Sequence, residues 1–308
     1  MILVDVDDEA WIEGAAFKAR LEAALPGEAV ALFADGFDSG RVEMLVCSRL
    51  RPGLAARLPR LRLVQKLGAG VETMLTGELP EGVRLARVRS DAQALEMTEF
   101  ALAAVLGDRR RLAHFAGRQR ARVWAPEAPP EGPGALTVLG LGTVGARIAA
   151  AFAALEWRVT GWSRSAKALP GVECLSGEAG LATALGAAGH VVAVLPSTPG
   201  TRGLMGARRF AAMRPGALFV NLGRGDLVDE AALLAALDAG RPGRALLDVT
   251  ATEPLPPDSP LWTHSAVTVT PHVSGWHVGD ALADVAENRR RLAAGGPLIG
   301  EVDRRRGY

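Results

Sequence analysis

The stretch GLGTVG at residues 140–145 decides the fold of the second part of the chain. An apolar run at 136–139 precedes it, and an alanine-rich pattern with helical spacing follows at 147–155. In the order strand, glycine turn, helix, the three glycines let backbone N–H groups approach a pyrophosphate at the start of a helix. The stretch therefore predicts a dinucleotide-binding site, although the glycines alone also fit an ordinary tight turn between strand and helix.

Composition sets limits on the other function classes. The 308 residues predict two domains, because a domain commonly takes about 150 residues. A net charge of +1 gives no electrostatic reason to expect nucleic acid or a membrane surface as a partner. The two cysteines, Cys47 and Cys174, lack the spacing of a disulfide framework or a metal site, so no metal is predicted. Neither a signal peptide nor a membrane-spanning run is recognised, and a cytoplasmic protein is expected.

Short apolar runs alternate with helical patterns along the chain, which is typical of parallel sheets covered by helices on both faces. Two α/β domains with doubly wound parallel sheets are therefore predicted. Long helical patterns at 92–122 and 279–294 are expected to connect them. The predicted strands are 2–6, 29–33, 44–47, 62–67 and 84–88 in the first part, and 136–140, 158–163, 190–195, 217–221, 245–249 and 267–270 in the second.

The segment 108–122 carries six arginines. A nucleic-acid surface is one interpretation, but acidic residues elsewhere in the chain balance this charge. A solvated or subunit-facing helix surface is the favoured interpretation.

The end of the second strand of the nucleotide fold distinguishes two cofactors. NAD sites usually place Asp or Glu about 20 residues after the glycines, where the carboxylate binds the ribose 2′-OH. Here Ser163 takes that place, followed by Arg164 and Ser165. Hydroxyls and a guanidinium can hold a 2′-phosphate that a carboxylate would repel, so NADP is favoured and NAD stays possible. An exposed polar turn is the alternative.

Three loops that follow predicted strands carry the residues suited to chemistry. Arg224 lies between two glycines, where its planar guanidinium suits a carboxylate, although a surface turn would look the same. His272 also follows a strand, and Glu253 lies on a neighbouring loop. A carboxylate beside an imidazole favours the protonated ring, which can deliver a proton to the oxygen of a carbonyl group under reduction.

Five motifs in this order resemble the D-isomer-specific 2-hydroxyacid dehydrogenases over nearly the whole chain. Within that family the chain is most similar to the NADPH-preferring glyoxylate/hydroxypyruvate reductases, on LVQKLGAGVE from Leu63, GWSRS from Gly161 and the tail VDRRRGY from Val302. The five motifs are GLGTVG from Gly140, LPSTPGT from Leu195, NLGRGDLVDE from Asn221, LDVTATEPLPPDSPLW from Leu247 and TPHVSG from Thr270.

The resemblance implies an architecture and a reaction. A Rossmann-type dinucleotide-binding domain, residues 96–275, would be inserted into a flavodoxin-like substrate-binding domain formed by 1–95 and 276–308. The enzyme would transfer hydride from NADPH to a small 2-oxo acid, glyoxylate or hydroxypyruvate, and would be a homodimer.

The resemblance also assigns residues. Arg224 would bind the substrate carboxylate and polarise the keto oxygen, His272 would be the acid or base, and Glu253 would orient His272. Ala69 and Gly70 would donate backbone N–H groups to the substrate. The cofactor would be bound by Gly140, Gly142, Thr143, Val144, Gly145, Ser163, Arg164, Ser165, Leu195, Pro196, Thr201, Leu222, Gly223, Arg224, Asp248, His272 and Ser274.

Departures from the family pattern leave alternatives open. Cys47 stands near the place of a tryptophan, Trp276 and His277 follow the histidine loop in an unusual way, and all three bear on substrate choice. Trp124 matches a tryptophan that in some relatives reaches the partner's substrate site. An NAD-dependent dehydrogenase with a larger substrate, or a dinucleotide-sensing regulator on the same fold, are the alternative functions.

Overall fold

The computed structural model describes residues 1–6, 12–68, 70–75, 77–88, 90–277 and 281–304. It divides into two compact units, one formed by Met1–Gln93 with Trp276–Tyr308 and the other by Ala94–Gly275. Each unit is built on one parallel sheet, which confirms the predicted α/β class.

The secondary structure alternates between strands and helices. The strands are β1 (Ile2–Asp5), β2 (Val30–Leu32), β3 (Met44–Cys47), β4 (Leu63–Lys66), β5 (Arg84–Arg87), β6 (Ala135–Leu139), β7 (Arg158–Ser163), β8 (Val172–Ser176), β9 (His190–Ala193), β10 (Leu218–Asn221), β11 (Arg244–Leu247) and β12 (Val267–Val269). The helices are α1 (Gly14–Ala24), α2 (Asp91–Arg109), α3 (Leu112–Arg120), α4 (Thr143–Ala154), α5 (Gly177–Ala187), α6 (Ala207–Ala211), α7 (Glu230–Asp238) and α8 (Ala281–Ala294).

The discontinuous unit is held together by its sheet and by α8. Its strands lie in the order β2-β1-β3-β4-β5, and apolar side chains fill both faces because successive strand residues point to opposite sides. On one face Leu292 of α8 joins Phe17 of α1 in the core. Asn288 of α8 is fully buried, where its side-chain amide donates to Gln65 Oε1 at 2.7 Å and its oxygen accepts from the N–H of Ile299 at 2.7 Å.

The continuous unit has seven parallel strands in the order β12-β11-β10-β9-β6-β7-β8. The chain starts at β6, builds β7 and β8 on one side, and then crosses to β9 on the other. The loops after β6 and β9 therefore leave the sheet side by side in opposite directions, which is the place where ligands bind to open α/β sheets. Residues of α5, α6 and α7 fill one face of this sheet, and residues of α2 and α4 fill the other.

One strand of this sheet was not predicted. Every predicted strand overlaps a strand of the structure, but β8 has no counterpart among the predictions. Its side chains are half-buried or exposed and include Glu173, because β8 is an edge strand that pairs only with β7. It therefore lacks the continuous apolar run by which buried parallel strands are recognised.

The prediction of one long helix over 92–122 is wrong. The helix ends at Arg109, Arg111 takes a left-handed conformation with φ 56°, and α3 begins at Leu112. Glu127, beyond α3, forms ion pairs with Arg111 and with two further side chains of α3, His114 and Arg118. Helical periodicity continues across this position and therefore does not reveal the break. The other predicted helix, 279–294, begins at Ala281 in the structure, and its first two residues lie outside the described residues.

The described residues contain no helix long and apolar enough to cross a membrane, and no cluster of three or more His, Cys, Asp or Glu side chains that could hold a metal ion. Cys47 is buried and Cys174 is half-buried.

We expect Asn288→Ala to lower the free energy of unfolding by about 3 kcal/mol, because Gln65 and the backbone of Ile299 would keep buried polar groups without partners. Urea unfolding measures this loss. Ala293→Gln, an exposed substitution on the same helix, is the control and should change stability by no more than about 0.5 kcal/mol. An equal stability of the two variants would contradict the expectation.

Candidate active site at the carboxyl edge of the seven-stranded sheet

The glycine loop after β6 is closed on one side and open on the other. A methyl group on Gly145 would lie 1.7 Å from the carbonyl oxygen of Gly140, so only glycine fits there. Gly140 itself has φ 102°, in the left-handed region that favours glycine. A methyl group on Gly142 would meet nothing within 4 Å. The loop thus packs tightly against itself and leaves the backbone at Gly142 accessible.

The accessible backbone stands at the start of α4. Gly142 is the N-cap of this 12-residue helix. No side chain of the described residues caps its first turn, which contains no acidic residue. The first N–H groups of a helix and its dipole favour an anion at this end. Thr143 and Val144 are the first two residues of the helix, so their backbone lies where a phosphate group can bind. The loop therefore fits the diphosphate of a dinucleotide.

The residues after β7 lie at the same edge of the sheet. Ser163 ends β7, is buried, and donates its hydroxyl to the carbonyl oxygen of Ser165 at 2.8 Å. This bond turns the chain so that Arg164 and Ser165 are exposed. Arg164 is thus exposed at this turn, and the Ser163 hydroxyl stabilises the shape of the turn.

The loop after β9 is fixed by its own hydrogen bonds. The Thr201 hydroxyl donates to the carbonyl oxygen of Pro196 at 2.6 Å and accepts from the N–H of Thr198 at 2.8 Å. A methyl group on Gly223 would lie 2.6 Å from the carbonyl oxygen of Leu195, so the loop after β10 packs directly on this one. Leu222, which the resemblance places against the cofactor, is buried in the core on the α2 and α4 face of the sheet.

The Arg224 loop is held from two sides. The Asn221 side chain accepts from the N–H of Gly223 at 3.1 Å and donates to the carbonyl oxygen of Arg224 at 2.9 Å. A methyl group on Gly225 would lie 1.8 Å from the carbonyl oxygen of Thr250, in the loop after β11. The backbone around Arg224 is therefore set by Asn221 and by contact with the next loop.

Asp248 anchors the loop that carries His272. Asp248 is almost fully buried, and its Oδ1 accepts from the Thr270 hydroxyl at 2.6 Å and from the N–H of Val273 at 3.0 Å. Its Oδ2 accepts from the N–H of Ser274 at 3.0 Å, and its backbone carbonyl accepts from the N–H of His272 at 2.9 Å. The loop bends so sharply around this carboxylate that His272 has φ 56°. Backbone strain of this kind is concentrated at functional sites.

Glu253 and His272 form the expected pair. His272 Nδ1 lies 2.8 Å from Glu253 Oε2, and Glu253 Oε1 accepts from the N–H of Thr250 at 3.1 Å. About half of the His272 side chain is exposed, so the far side of the ring is accessible. The arrangement fixes the ring through Nδ1 and leaves Nε2 to exchange a proton with a bound molecule.

The charge of Arg224 acts on the same pair. Burial raises the pKa of the Glu253 carboxyl. The hydrogen bond and charge of His272, the Thr250 amide and the Arg224 charge together lower it by more, so the pKa lies below its ordinary value. Arg224, Glu253 and His272, which come from loops after three different strands, are therefore electrostatically coupled.

The two predicted substrate contacts from the LGAG loop do not belong to the seven-stranded unit. Gly70 belongs to the discontinuous unit, where it follows β4, and Ala69 lies outside the described residues. Sequence reasoning assigned no role to Asn221, Thr250 or Thr270. Asn221 binds backbone groups of its own loop, Thr250 donates its N–H to Glu253, and Thr270 donates its hydroxyl to Asp248. Only the position of Asn221 and Thr270 at or just beyond strand ends could have drawn attention to them.

Because the pKa of Glu253 is lowered by folding, its ionised form stabilises the protein above the unfolded-state value of about 4.3, and this contribution is lost as the pH falls through the lower folded value. We therefore expect Glu253→Gln to be less stable than the wild type near neutral pH and the difference to shrink below about pH 4. Urea unfolding of both proteins, from neutral pH to below about pH 4, measures this difference in stability. Glu131→Gln, at an exposed position, gives the background, and a deficit that persists unchanged in acid would contradict the expectation.

Comparison with known proteins agrees with this geometry. Residues 102–274 match the family described as "D-isomer specific 2-hydroxyacid dehydrogenase, NAD binding domain". Glyoxylate/hydroxypyruvate reductase A of Serratia proteamaculans is 36% identical over 97% of this chain and 96% of its own length.

Solved structures of the same kind cover the whole chain. A D-isomer specific 2-hydroxyacid dehydrogenase from Xanthobacter autotrophicus, solved in complex with NADPH and MES, is 39% identical with a TM-score of 0.92 and covers 99% of both chains. An NADPH-dependent glyoxylate/hydroxypyruvate reductase from Sinorhizobium meliloti, solved in complex with NADP and sulfate, is 33% identical with a TM-score of 0.91 and covers 100% of this chain and 99% of its own. The chain therefore belongs to the D-isomer-specific 2-hydroxyacid dehydrogenase family.

Proposed function

We propose that the protein is an NADPH-dependent reductase of small 2-oxo acids, with glyoxylate or hydroxypyruvate as the substrate. The observation that carries the proposal is the Glu253–His272 pair, joined at 2.8 Å and coupled to Arg224 beside a loop that fits a diphosphate. The names of the relatives from Serratia proteamaculans and Sinorhizobium meliloti support the substrate class.

The three side chains divide the work of reducing a keto group. Arg224 binds the carboxylate of the 2-oxo acid and draws electron density toward the keto oxygen. Negative charge grows on that oxygen as hydride reaches the carbon, and His272 delivers a proton to it from Nε2. Glu253 holds the ring by Nδ1 and stabilises its charged form. In the reverse direction His272 takes the proton from the hydroxyl group.

The nicotinamide cofactor supplies the hydride when it is bound. Gly140, Gly142 and Gly145, with the backbone of Thr143 and Val144, would hold its diphosphate at the start of α4. The remaining assigned contacts stay predictions, namely Ser163, Arg164, Ser165, Leu195, Pro196, Thr201, Leu222, Gly223, Arg224, Asp248, His272 and Ser274 for the cofactor, and Ala69 and Gly70 for the substrate.

The preference for NADPH is assigned to the turn after β7. Arg164 is exposed there, no Asp or Glu stands in the turn 163–165, and the Ser163–Ser165 hydrogen bond sets its shape. A guanidinium can bind the 2′-phosphate with charge-assisted hydrogen bonds. The NADPH and NADP complexes of the two solved relatives support this preference.

A homodimer and a cytoplasmic location remain predictions. The surface beside α3 supports the dimer, because Trp124 is 98% exposed and Leu112 and Val123 are also largely exposed. Exposed apolar residues grouped in this way are typical of surfaces that meet another chain.

We expect His272→Ala to lower kcat for glyoxylate by about 10²–10⁴-fold, the usual contribution of a positioned general acid. NADPH oxidation with glyoxylate, hydroxypyruvate and pyruvate measures it. His264→Ala is the matched control, because His264 also faces a carboxylate, Asp238 at 3.3 Å, away from the strand ends. If the wild type reduces none of the three acids, the substrate proposal is wrong, and if His272→Ala keeps full activity, the mechanism is wrong.

We expect Arg164→Ala to raise the KM for NADPH by about tenfold and to leave the KM for NADH unchanged, because only NADPH carries the phosphate that pairs with the guanidinium. Initial rates with each cofactor measure this. Arg158→Ala removes an exposed cation at the other end of β7 and serves as the control. An unchanged KM for NADPH in Arg164→Ala would show that the 2′-phosphate is held elsewhere.

A further inference from the structure

Two loops of the site are joined by a pair of side chains that the proposed mechanism does not use. Ser197, in the loop after β9, donates its hydroxyl to Oδ2 of Asp226, which lies two residues after Arg224. Arg202 reaches both groups, with its Nε 3.3 Å from Asp226 Oδ2 and 3.3 Å from Ser197 Oγ. We call Ser197, Arg202 and Asp226 the loop clasp.

The clasp is more than a surface ion pair. Ser197 is buried, and Oδ1 of Asp226 is also buried and has no hydrogen-bond partner among the residues that the structure describes. A buried acceptor without a partner costs free energy, and the Asp226 side chain as a whole is 41% exposed. The hydroxyl of Ser197 supplies a charge-assisted hydrogen bond to Oδ2. Arg202 is 61% exposed and adds little to such a pair.

The backbone around the clasp transmits its position to Arg224. Gly203 donates its N–H to the carbonyl oxygen of Asp226 at 2.8 Å. This backbone hydrogen bond joins the two loops after Asp226, whereas Arg224 lies before it in the chain. Arg224 is the N-cap of the short 3-10 turn Gly225–Leu227 that contains Asp226. Within that turn the Asp226 side chain provides a tie between Arg224 and the loop after β9.

We propose that Asp226, held by Ser197, is a positioning residue that fixes the segment 224–227, and with it the backbone of Arg224, relative to the loop after β9. The inference rests on the proposed function, in which Arg224 binds the 2-oxo acid and the loop after β9 lines the cofactor. The clasp thereby ties the substrate-binding arginine to the cofactor-binding loop. Loss of the clasp should weaken substrate binding and leave the cofactor in place.

The kinetic test uses Asp226→Ala, Ser197→Ala, the double variant and Asp226→Asn in the full-length protein. We expect each alanine variant to raise the KM for glyoxylate by about tenfold, the value of one hydrogen bond to a charged group. A smaller fall in kcat should accompany it, because Arg224 also polarises the keto oxygen, and the KM for NADPH should change little. The double variant should be no worse than either single variant, since both remove the same bond. Asp226→Asn should restore most of the affinity, because its amide oxygen can still accept from Ser197.

The control is Glu178→Ala. Like Asp226, Glu178 is a carboxylate in an ion pair. Its partners are Arg208 and Arg209, and it lies at the start of α5, outside the clasp. It should leave the KM for glyoxylate unchanged. Additive effects of Ser197→Ala and Asp226→Ala, or an equal rise in KM for substrate and cofactor, would assign the clasp to general stability and overturn the proposal.

A second measurement is independent of activity. Hydrogen–deuterium exchange of residues 223–228 in the cofactor-free protein should be faster in both alanine variants and close to the wild type in Asp226→Asn and Glu178→Ala. Unchanged exchange in Asp226→Ala would overturn the clasp even in an active enzyme. If the wild type reduces no 2-oxo acid, the proposed function fails, while the exchange result still decides whether the clasp holds the Arg224 loop.

Discussion

Close backbone contact between loops is the constraint on which the rest of this site depends. Three loops leave the neighbouring strands β9, β10 and β11 of the seven-stranded sheet, and each touches the next at a distance that excludes a side chain. Gly223 lies against Leu195, and Gly225 lies against Thr250. The glycines are therefore required by distance and not by an unusual backbone angle. Arg224 lies between these two glycines, so the close contacts on both sides set the position of its backbone.

Buried polar side chains also hold these loops in place. Asp248 gathers three donors from the segment 270–274, and Asn221 binds backbone groups on both sides of Gly223. Neither residue has to touch a ligand to matter, because each fixes a loop whose own side chain does. The Glu253–His272 pair joins the loops that follow β11 and β12, and Asp248 holds the same two loops together.

The sequence predicts the parts of this protein that depend on local pattern. Buried strands and the glycine turn were recognised because their apolar runs and spacing follow directly from the fold. The edge strand β8 was missed because half of it faces solvent, and the break at Arg111 was missed because the helical pattern continues across it. The contacts of Asp248 with the His272 loop are also non-local. Motif order indicated that these residues belong together, but it could not distinguish a residue that lines a ligand from one that anchors a loop.

The discontinuous unit has a consequence for biosynthesis. Leu292 and Asn288 of α8 complete a core and a buried polar network that also include Phe17 and Gln65, more than 220 residues earlier in the chain. A ribosome therefore delivers the whole of the seven-stranded unit before the first sheet receives its last helix. During that interval one apolar face of the first sheet lacks the part of its cover that α8 provides. The newly made chain therefore passes through a stage in which early termination or slow synthesis exposes it to aggregation.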